Sequence, residues 1–231
     1  MSGFSWLDYV ALAFFVAAWL TYHFGVEVFG HRGKSLNGRM DAYRRAWIDQ
    51  MLARDNRMVD ASIMVSLQNG SAFIASTSLL AVGGVLALFR SAEDVMTLFA
   101  EMPFGLATTR LAWEVKVMGL GMVFVYAFFK FAWANRIFNY AAILIGAVPP
   151  VGRKDAPETL VAARRAVAMN IEGGRHFNRG QRAFFFALAY LGWFVSPYVF
   201  AVATAAALVV MWRRQFASDA RRVLLEGEPP S

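Results

Sequence analysis

Four long apolar stretches alternate with polar, charged connectors along the chain. The stretches run over Trp6–Phe29, Ser71–Phe89, Leu111–Ala134 and Ala183–Trp212. A helix needs about 20 residues to cross a hydrocarbon core of about 30 Å, and each stretch has about that length or more. The pattern therefore predicts an all-α membrane protein, with four transmembrane helices packed as a bundle in one domain that covers residues 1–231.

The fourth stretch carries Ser196-Pro197 in its middle. Proline removes one backbone hydrogen bond and kinks or breaks a helix. Two arrangements follow from this: one long fourth helix that is kinked or broken at the proline, or a tight hairpin of two short helices, His176–Val195 and Pro197–Trp212. We expect the single long helix, because each half alone is barely long enough to span the bilayer.

The connectors 30–70 and 145–182 carry apolar residues at helical spacing, which predicts one amphipathic helix in each. In the first connector the predicted apolar face consists of Met40, Tyr43, Trp47, Met51 and Met58. In the second connector it consists of Leu160, Val161, Val167, Ala168 and Ile171. Packing against the bundle or the lipid headgroups would account for both faces.

The distribution of Lys and Arg residues predicts how the chain is oriented in the membrane. The connectors 30–70 and 145–182 each hold seven Lys or Arg residues, whereas 90–110 holds only its two terminal arginines. The positive-inside rule places the two basic connectors in the cytoplasm and the N-terminus outside. Four spans would also put the C-terminus outside, although it carries Arg213, Arg214, Arg221 and Arg222. The side of the membrane on which the C-terminus lies is therefore left open.

Composition narrows the classes of function. The chain has no cysteine, which excludes disulfides, thiolate zinc sites, iron–sulfur clusters and covalent c-type haem. The net charge of +7 is concentrated beside the apolar stretches. There it acts as a topology signal and attracts anionic lipid headgroups, so we expect a lipid bilayer as the partner and no nucleic acid.

One group of side chains has metal-binding chemistry. His23, Glu27 and His31 follow one another at four-residue steps at the cytoplasmic end of the first stretch, and His176 is expected on the same side of the membrane. Imidazole and carboxylate groups are suitable ligands for zinc, iron or manganese. Interfacial His and Glu side chains more often bond to backbone or water, so we expect a structural role and no cofactor.

Lys116 is the most unusual charge, because it lies inside the third apolar stretch. A lysine held in the bilayer is costly and usually functional, unless it snorkels or pairs with another group. If it carries ions or protons, it should face a water-filled cavity between helices. The sequence contains no nucleophile elbow, P-loop, dinucleotide-binding or kinase motif, so we do not expect an enzyme.

Several short motifs resemble one known family, in order and spacing, from about Tyr22 to Phe216. They are Tyr22-His23, Arg44-Arg45-Ala46-Trp47, Met51, Arg54-Asp55-Asn56, Ser76-Thr77-Ser78-Leu79-Leu80, Lys116, Phe128-Phe129, Arg136, Ile143-Leu144, Asn178-Arg179-Gly180-Gln181-Arg182, Trp193 and Ser196-Pro197. The chain resembles the family catalogued as domain of unknown function 599. The resemblance implies a multi-pass membrane protein of bacteria and plants, here in the bacterial inner membrane, with no established activity. It marks His23, Asp55, Lys116 and Arg136 as candidate functional residues, but not His31 or His176.

These observations favour an accessory or structural component of a membrane assembly, with membrane-protein partners or further copies of the same chain. One alternative is a small solute or ion transporter or channel that uses Lys116, with Glu27 along the path. The other is a metal- or haem-binding membrane protein centred on His23 and Glu27.

Overall fold

The computed structural model describes residues 3–25, 35–93, 96–97 and 109–225. Regular structure in these residues is helical, without strands. The helices are α1 (Trp6–His23), α2 (Leu36–Leu52), α3 (Met58–Arg90), α4 (Arg110–Gly146), α5 (Pro157–Val195), α6 (Pro197–Phe216) and α7 (Asp219–Val223), with a 3-10 turn at Val151–Arg153. The predicted all-α fold is confirmed.

Within the residues that the model describes, three helical segments are long and apolar enough to cross a membrane. They are Met58–Arg90, Arg110–Gly146 and Pro197–Val223, the last of which comprises α6 and α7. Their length and composition support the prediction of a membrane protein.

The long helices pack antiparallel to their neighbours in the chain. At one end of the α3–α4 pair, the Asn135 side chain donates hydrogen bonds to Ser71 and to the carbonyl of Gln68. A Cβ on Gly121, nearer the N-terminal end of α4, would lie 3.2 Å from Val85. In the α4–α5 pair, two glycines of α5 face rings of α4, Gly173 with Phe138 and Gly180 with Phe131, and Gly119 of α4 faces the ring of Tyr190.

The chain reverses direction at Ser196, so the expected single long helix over 183–212 is wrong. Ser196 has an extended backbone, with φ −166° and ψ 160°, and its side chain caps the first turn of α6. The rings of Trp193 and Phe200 stack 5.2 Å apart, and Arg214 lies over the ring of Phe185. These pairs show that the last part of α5 and α6 form the hairpin that was the less favoured alternative.

Helix α1 lies in the groove between α5 and α6. It buries one face, formed by Asp8, Ala11, Phe15, Ala18 and Tyr22. Phe15 packs its ring against Phe186, Tyr190 and Phe200, at centroid distances of 5.1–5.5 Å. Aromatic packing of this kind joins three helices at the middle of the bundle.

The connector helices bury only part of the faces that the sequence pattern predicts: Met51 and Ile171 are buried, and Trp47 and Val167 are half-buried. In α2 the buried residues are Ile48, Met51 and Leu52, whereas Met40 and Tyr43 are exposed. In α5 the buried positions near its start are Thr159, Ala163, Ala166, Asn170 and Ile171. The small residues of α5 let α2 and α4 approach closely, and this packing displaces the larger apolar side chains Leu160 and Val161 to the surface.

Candidate functional site

The corner at Ser196 holds a buried centre of charged and polar groups, which we call the corner site: Asp8 of α1, Lys116 of α4 and Trp193 of α5. The Nζ atom of Lys116 donates a hydrogen bond of 2.9 Å to the carbonyl oxygen of Trp193. It also lies 3.8 Å from Oδ1 of Asp8 and 5.3 Å from the centre of the Trp193 ring. All three residues are less than 10% exposed.

The local sequence explains why the Trp193 carbonyl needs a donor. In a continuous helix this oxygen would accept a hydrogen bond from the backbone N–H four residues later. Residue 197 is proline and has no N–H. Lys116 supplies the missing donor, and its positive charge lies at the negative end of the α5 dipole. The lysine therefore caps the C-terminus of α5 from a different helix.

Asp8 is held by its own network. Its carboxylate accepts hydrogen bonds from the backbone N–H and the hydroxyl of Ser5, at 2.8 and 2.7 Å, as a capping box for α1. The indole Nε1 of Trp193 donates to Oδ1 of the same carboxylate at 2.7 Å. The network joins the start of α1 to the end of α5 and places a negative charge beside Lys116. Pairing of this kind reduces the cost of burying both charges.

A large cavity lies next to the corner site, and its lining is apolar. It has a volume of about 410 Å³ and lies between α1, α4 and α5. Aromatic residues of its wall include Phe15, Trp19, Tyr190 and Trp193, and Lys116 is not among the residues that line it. The ammonium group is directed to Trp193 and Asp8 instead.

A second buried carboxylate lies at the opposite end of the bundle. Asp60, in the first turn of α3, is fully buried, and its Oδ1 accepts hydrogen bonds from Trp47 Nε1 at 2.7 Å and from Arg54 at 3.2 Å. The sequence interpretation missed Asp60 and selected Asp55, which is exposed. The sequence did contain a signal for Asp60, because its two hydrogen-bond donors, Trp47 and Arg54, both belong to the motifs that carry the family resemblance.

Arg57 caps another helix from outside. Its guanidinium donates to the carbonyls of Val148 and Pro149, each at 2.6 Å, just beyond the end of α4. A cation at the C-terminal end of a helix is favoured by the dipole. Both ends of α4 are thus fastened by basic side chains: Lys116 joins its first part to α5, and Arg57 joins its last part to α3.

Of the four predicted metal ligands, only His23 and His176 lie in the described part of the chain, so the metal site stays a prediction. The His23 ring packs against Phe24, whereas His176 lies 3.7 Å from Glu172 and near Trp133. Glu27 and His31 lie outside the described residues. Among residues 3–25, 35–93, 96–97 and 109–225, no three His, Asp or Glu side chains are grouped as metal ligands. Arg136 is exposed and bonds to the Tyr140 hydroxyl at 2.8 Å.

A cleft with basic and amide side chains lies at the end of the bundle away from the corner. We call it the basic cleft; the residues around it are Tyr22, Asn37, Asn178, Gln181, Arg182, Phe185, Met211, Arg214 and Gln215. Arg182 lies 5.5 Å from the ring centre of Tyr22, and Arg214 lies 5.2 Å from that of Phe185. The Tyr22 hydroxyl donates to the Met211 carbonyl and joins α1 to α6 at this level.

Comparison with known protein families gives a match. The family described as "Protein of unknown function, DUF599" matches over residues 10–220, a range that contains Lys116, Asp60 and the basic cleft. No curated protein and no solved structure matches the chain.

Proposed function

Because the chain belongs to the family of unknown function DUF599, its family supplies no activity, and we propose from its geometry a structural or accessory component of a membrane assembly. In this proposal the chain crosses the bacterial inner membrane five times, with the N-terminus outside and the C-terminus inside. The four predicted spans become five because the last apolar stretch folds back on itself at Ser196.

The position of the charges supports this topology. Asp8 lies beside Trp193 at the corner end of the bundle, and Tyr22 lies beside Arg182 and Met211 at the other end. Helices α1 and α6 therefore run in the same direction, and the basic C-terminal segment lies at the end that also carries the arginines of α2 and α5. Five crossings place all of these arginines in the cytoplasm, as the positive-inside rule requires.

The proposal of an assembly is based on the outward face of α3. Helix α3 packs along α4 with Ser71, Ala75, Ser78 and Val85 buried. On its other side lies a face that we call the α3 seam: Gly70, Phe73, Thr77, Leu80 and Gly84. Phe73 is 70% exposed and Leu80 is 77% exposed, and a Cβ on Gly70 or Gly84 would meet nothing within 4 Å.

The spacing of the seam suits contact between helices. Gly70, Thr77 and Gly84 recur every seven residues, and Phe73 and Leu80 recur at the same interval between them. This is the repeat with which helices pack at a small crossing angle. Lipid provides no hydrophobic drive for association, so membrane helices meet through small residues that allow close approach, with larger side chains fitting between them.

The corner site supports a structural function rather than transport. Lys116 donates to the Trp193 carbonyl and lies beside Asp8. Its positive charge is thus employed in holding three helices together. A transport function would require this ammonium group to exchange partners during each cycle.

Purification in mild detergent, followed by mass spectrometry of the proteins that co-elute, tests the proposal. We expect a stoichiometric membrane-protein partner or a defined oligomer of the chain. The variant Gly84→Leu should dissociate it, because a large side chain would hold the two helix backbones apart. Gly83→Leu is the matched control, since Gly83 is equally open but points away from the seam. A monomer that co-elutes with no partner, or equal assembly of both variants, would contradict the proposal.

A further inference from the structure

The apolar cavity beside the corner site contains a buried polar group, the hydroxyl of Tyr190. We call this space of about 410 Å³ between α1, α4 and α5 the aromatic cavity. Tyr190 lines it and is only 4% exposed. Within the described part of the chain, Tyr190 makes ring contacts, but no residue shares a hydrogen bond with its hydroxyl. A buried tyrosine hydroxyl usually has a partner, so this one lacks a group that a ligand could supply.

The packing around Tyr190 directs its hydroxyl to the cavity. The ring is held edge-on by Phe15, Trp193 and Phe200, at centroid distances of 5.3–5.5 Å. The hydroxyl lies over Gly119 of α4, where a Cβ would collide with its oxygen, and Gly119 also lines the cavity. The oxygen is not fully enclosed by protein atoms, so the cavity is the space into which it can donate a hydrogen bond.

The cavity is elongated along the helices and open on one side. Its lining runs from Leu12 to Leu20 on α1 and from Val115 to Tyr126 on α4. At 1.5 Å per residue, these ranges correspond to roughly 12 and 16 Å of helix. Exposed side chains of both helices, such as Leu20 and Met122, belong to the lining, so the cavity opens to the surface between α1 and α4. In the proposed topology this opening faces the lipid tails.

The chemistry of the wall favours a flat ring over a lipid acyl chain. Aromatic side chains from all three helices line the cavity: Phe15, Trp19, Tyr126, Tyr190 and Trp193. Aromatic rings pack well against another planar group, either stacked or edge to face. Tyr190 packs on Phe15 at the middle of the bundle, where a phospholipid offers only hydrocarbon, because its ester carbonyls lie in the interfacial region. An acyl chain would therefore leave the Tyr190 hydroxyl unpaired.

We propose that the aromatic cavity binds a lipid-soluble molecule of the quinone class, which has a flat conjugated ring with carbonyl groups and an apolar tail. The Tyr190 hydroxyl donates to a carbonyl oxygen of the ring, and the tail leaves between α1 and α4. Small-molecule sites typically have volumes of about 300–1,000 Å³, a mostly apolar lining and few polar groups, as this cavity has. None of its residues belongs to the α3 seam, so ligand binding and assembly can fail independently.

Titration of the purified full chain with decylubiquinone, in a neutral detergent, tests the site. Quenching of tryptophan fluorescence reports binding, because Trp19 and Trp193 line the cavity. We expect saturable binding that Tyr190→Phe weakens about threefold to tenfold, which is the effect of one hydrogen bond. Tyr198→Phe is the matched control, since Tyr198 is 67% exposed on α6 and does not line the cavity. Without decylubiquinone, Tyr190→Phe should keep the melting temperature of the parent chain.

A second ligand tests whether the carbonyl group is recognised. Decylbenzene carries the same tail on a ring without carbonyls, and its affinity is measured by competition with decylubiquinone. The parent chain should prefer decylubiquinone, and Tyr190→Phe should remove most of that preference. Equal affinities of the parent chain for the two ligands would overturn the proposal, because the cavity would then accept any apolar molecule.

A blocked opening keeps the test decisive if Tyr190→Phe fails to fold. Met122→Trp places a large side chain at the exposed edge of the cavity and should abolish saturable quenching. Met118→Trp is the matched control, because Met118 is also exposed on α4 but does not line the cavity. Non-saturable quenching in every variant, or equal binding by the two tryptophan variants, would also overturn the proposal.

Discussion

The ammonium group of Lys116 lies 2.9 Å from the carbonyl oxygen of Trp193. A helix would ordinarily supply this oxygen with a backbone N–H from residue 197, but that residue is proline. The last turn of α5 is therefore capped at the corner by a side chain from α4, and Asp8 from α1 balances its charge.

Replacing Lys116 tests this interaction. Lys116→Met should lower the free energy of unfolding by about 3 kcal/mol, because it leaves the Asp8 carboxylate buried without its cation. Unfolding in detergent by heat or by sodium dodecyl sulfate measures the loss. Lys130→Met is the control, since Lys130 also lies on α4 but is partly exposed over the ring of Tyr126. In the double variant Asp8→Asn/Lys116→Met the loss should be smaller than the sum of the two single losses. Simple additivity would show that the pair does not interact.

The buried carboxylate of Asp60 should matter more than the exposed carboxylate of Asp55. Asp60→Asn weakens the hydrogen bonds from Trp47 and Arg54, so we expect a loss of about 2 kcal/mol in unfolding free energy. Asp55→Asn, a matched change at the surface, should stay within about 0.5 kcal/mol. The same unfolding assay in detergent compares the two, and a larger effect at Asp55 would show that the resemblance motif had identified the important residue after all.

The five proposed crossings can be tested with single cysteines, because the chain has no cysteine of its own. Cells that carry Glu93→Cys, Asp55→Cys or Asp219→Cys are treated with a maleimide that cannot cross the inner membrane. Glu93→Cys should react in intact cells, whereas Asp55→Cys and Asp219→Cys should react only after lysis. Glu93 and Asp219 are well exposed, so access is not limited by the fold. Labelling of Asp219→Cys in intact cells would instead indicate that the chain crosses the membrane an even number of times.

The contact between α4 and α5 should not tolerate a methyl group at Gly180. A Cβ there would lie 2.7 Å from the fully buried ring of Phe131, so Gly180→Ala should cost about 1–3 kcal/mol of unfolding free energy. Gly83→Ala has open space around it and should be neutral or stabilising by up to about 1 kcal/mol, through its higher helix propensity. Equal melting temperatures for the two variants would mean that Phe131 can move aside.

The helical fold and the membrane class could be predicted from the sequence, because both depend on the local distribution of apolar residues. The direction of the chain after Ser196 could not be predicted, since proline signals a kink and a reversal alike. The choice is made by tertiary contacts, such as the stacking of Trp193 on Phe200 and the cap from Lys116. The sequence analysis preferred one long helix because each half is barely long enough to span the bilayer. That argument was wrong because it considered each half-helix without its tertiary contacts.

The candidate site was predicted in part. Lys116 was selected for the cost of its charge, and that cost is a property of one residue. The pairing of Lys116 with Asp8 and Trp193 was not predicted, because these residues lie 108 and 77 positions away along the chain. Asp60 was missed for a similar reason: its donors, Trp47 and Arg54, belong to a separate helix and loop.

The absence of a loop at the corner has a consequence for how the protein is made. Only Ser196 separates α5 from α6, and the apolar part of α5 that begins at Ala183 contains 13 residues. A segment of that length does not settle in the bilayer by itself. In the proposed topology, the ribosome must therefore deliver both helices before either is released into lipid, and the insertion machinery receives them as one folded hairpin. We expect the final orientation in that topology to be reached only after the arginines that follow Trp212 have been synthesised, because they hold the C-terminal end on the cytoplasmic side.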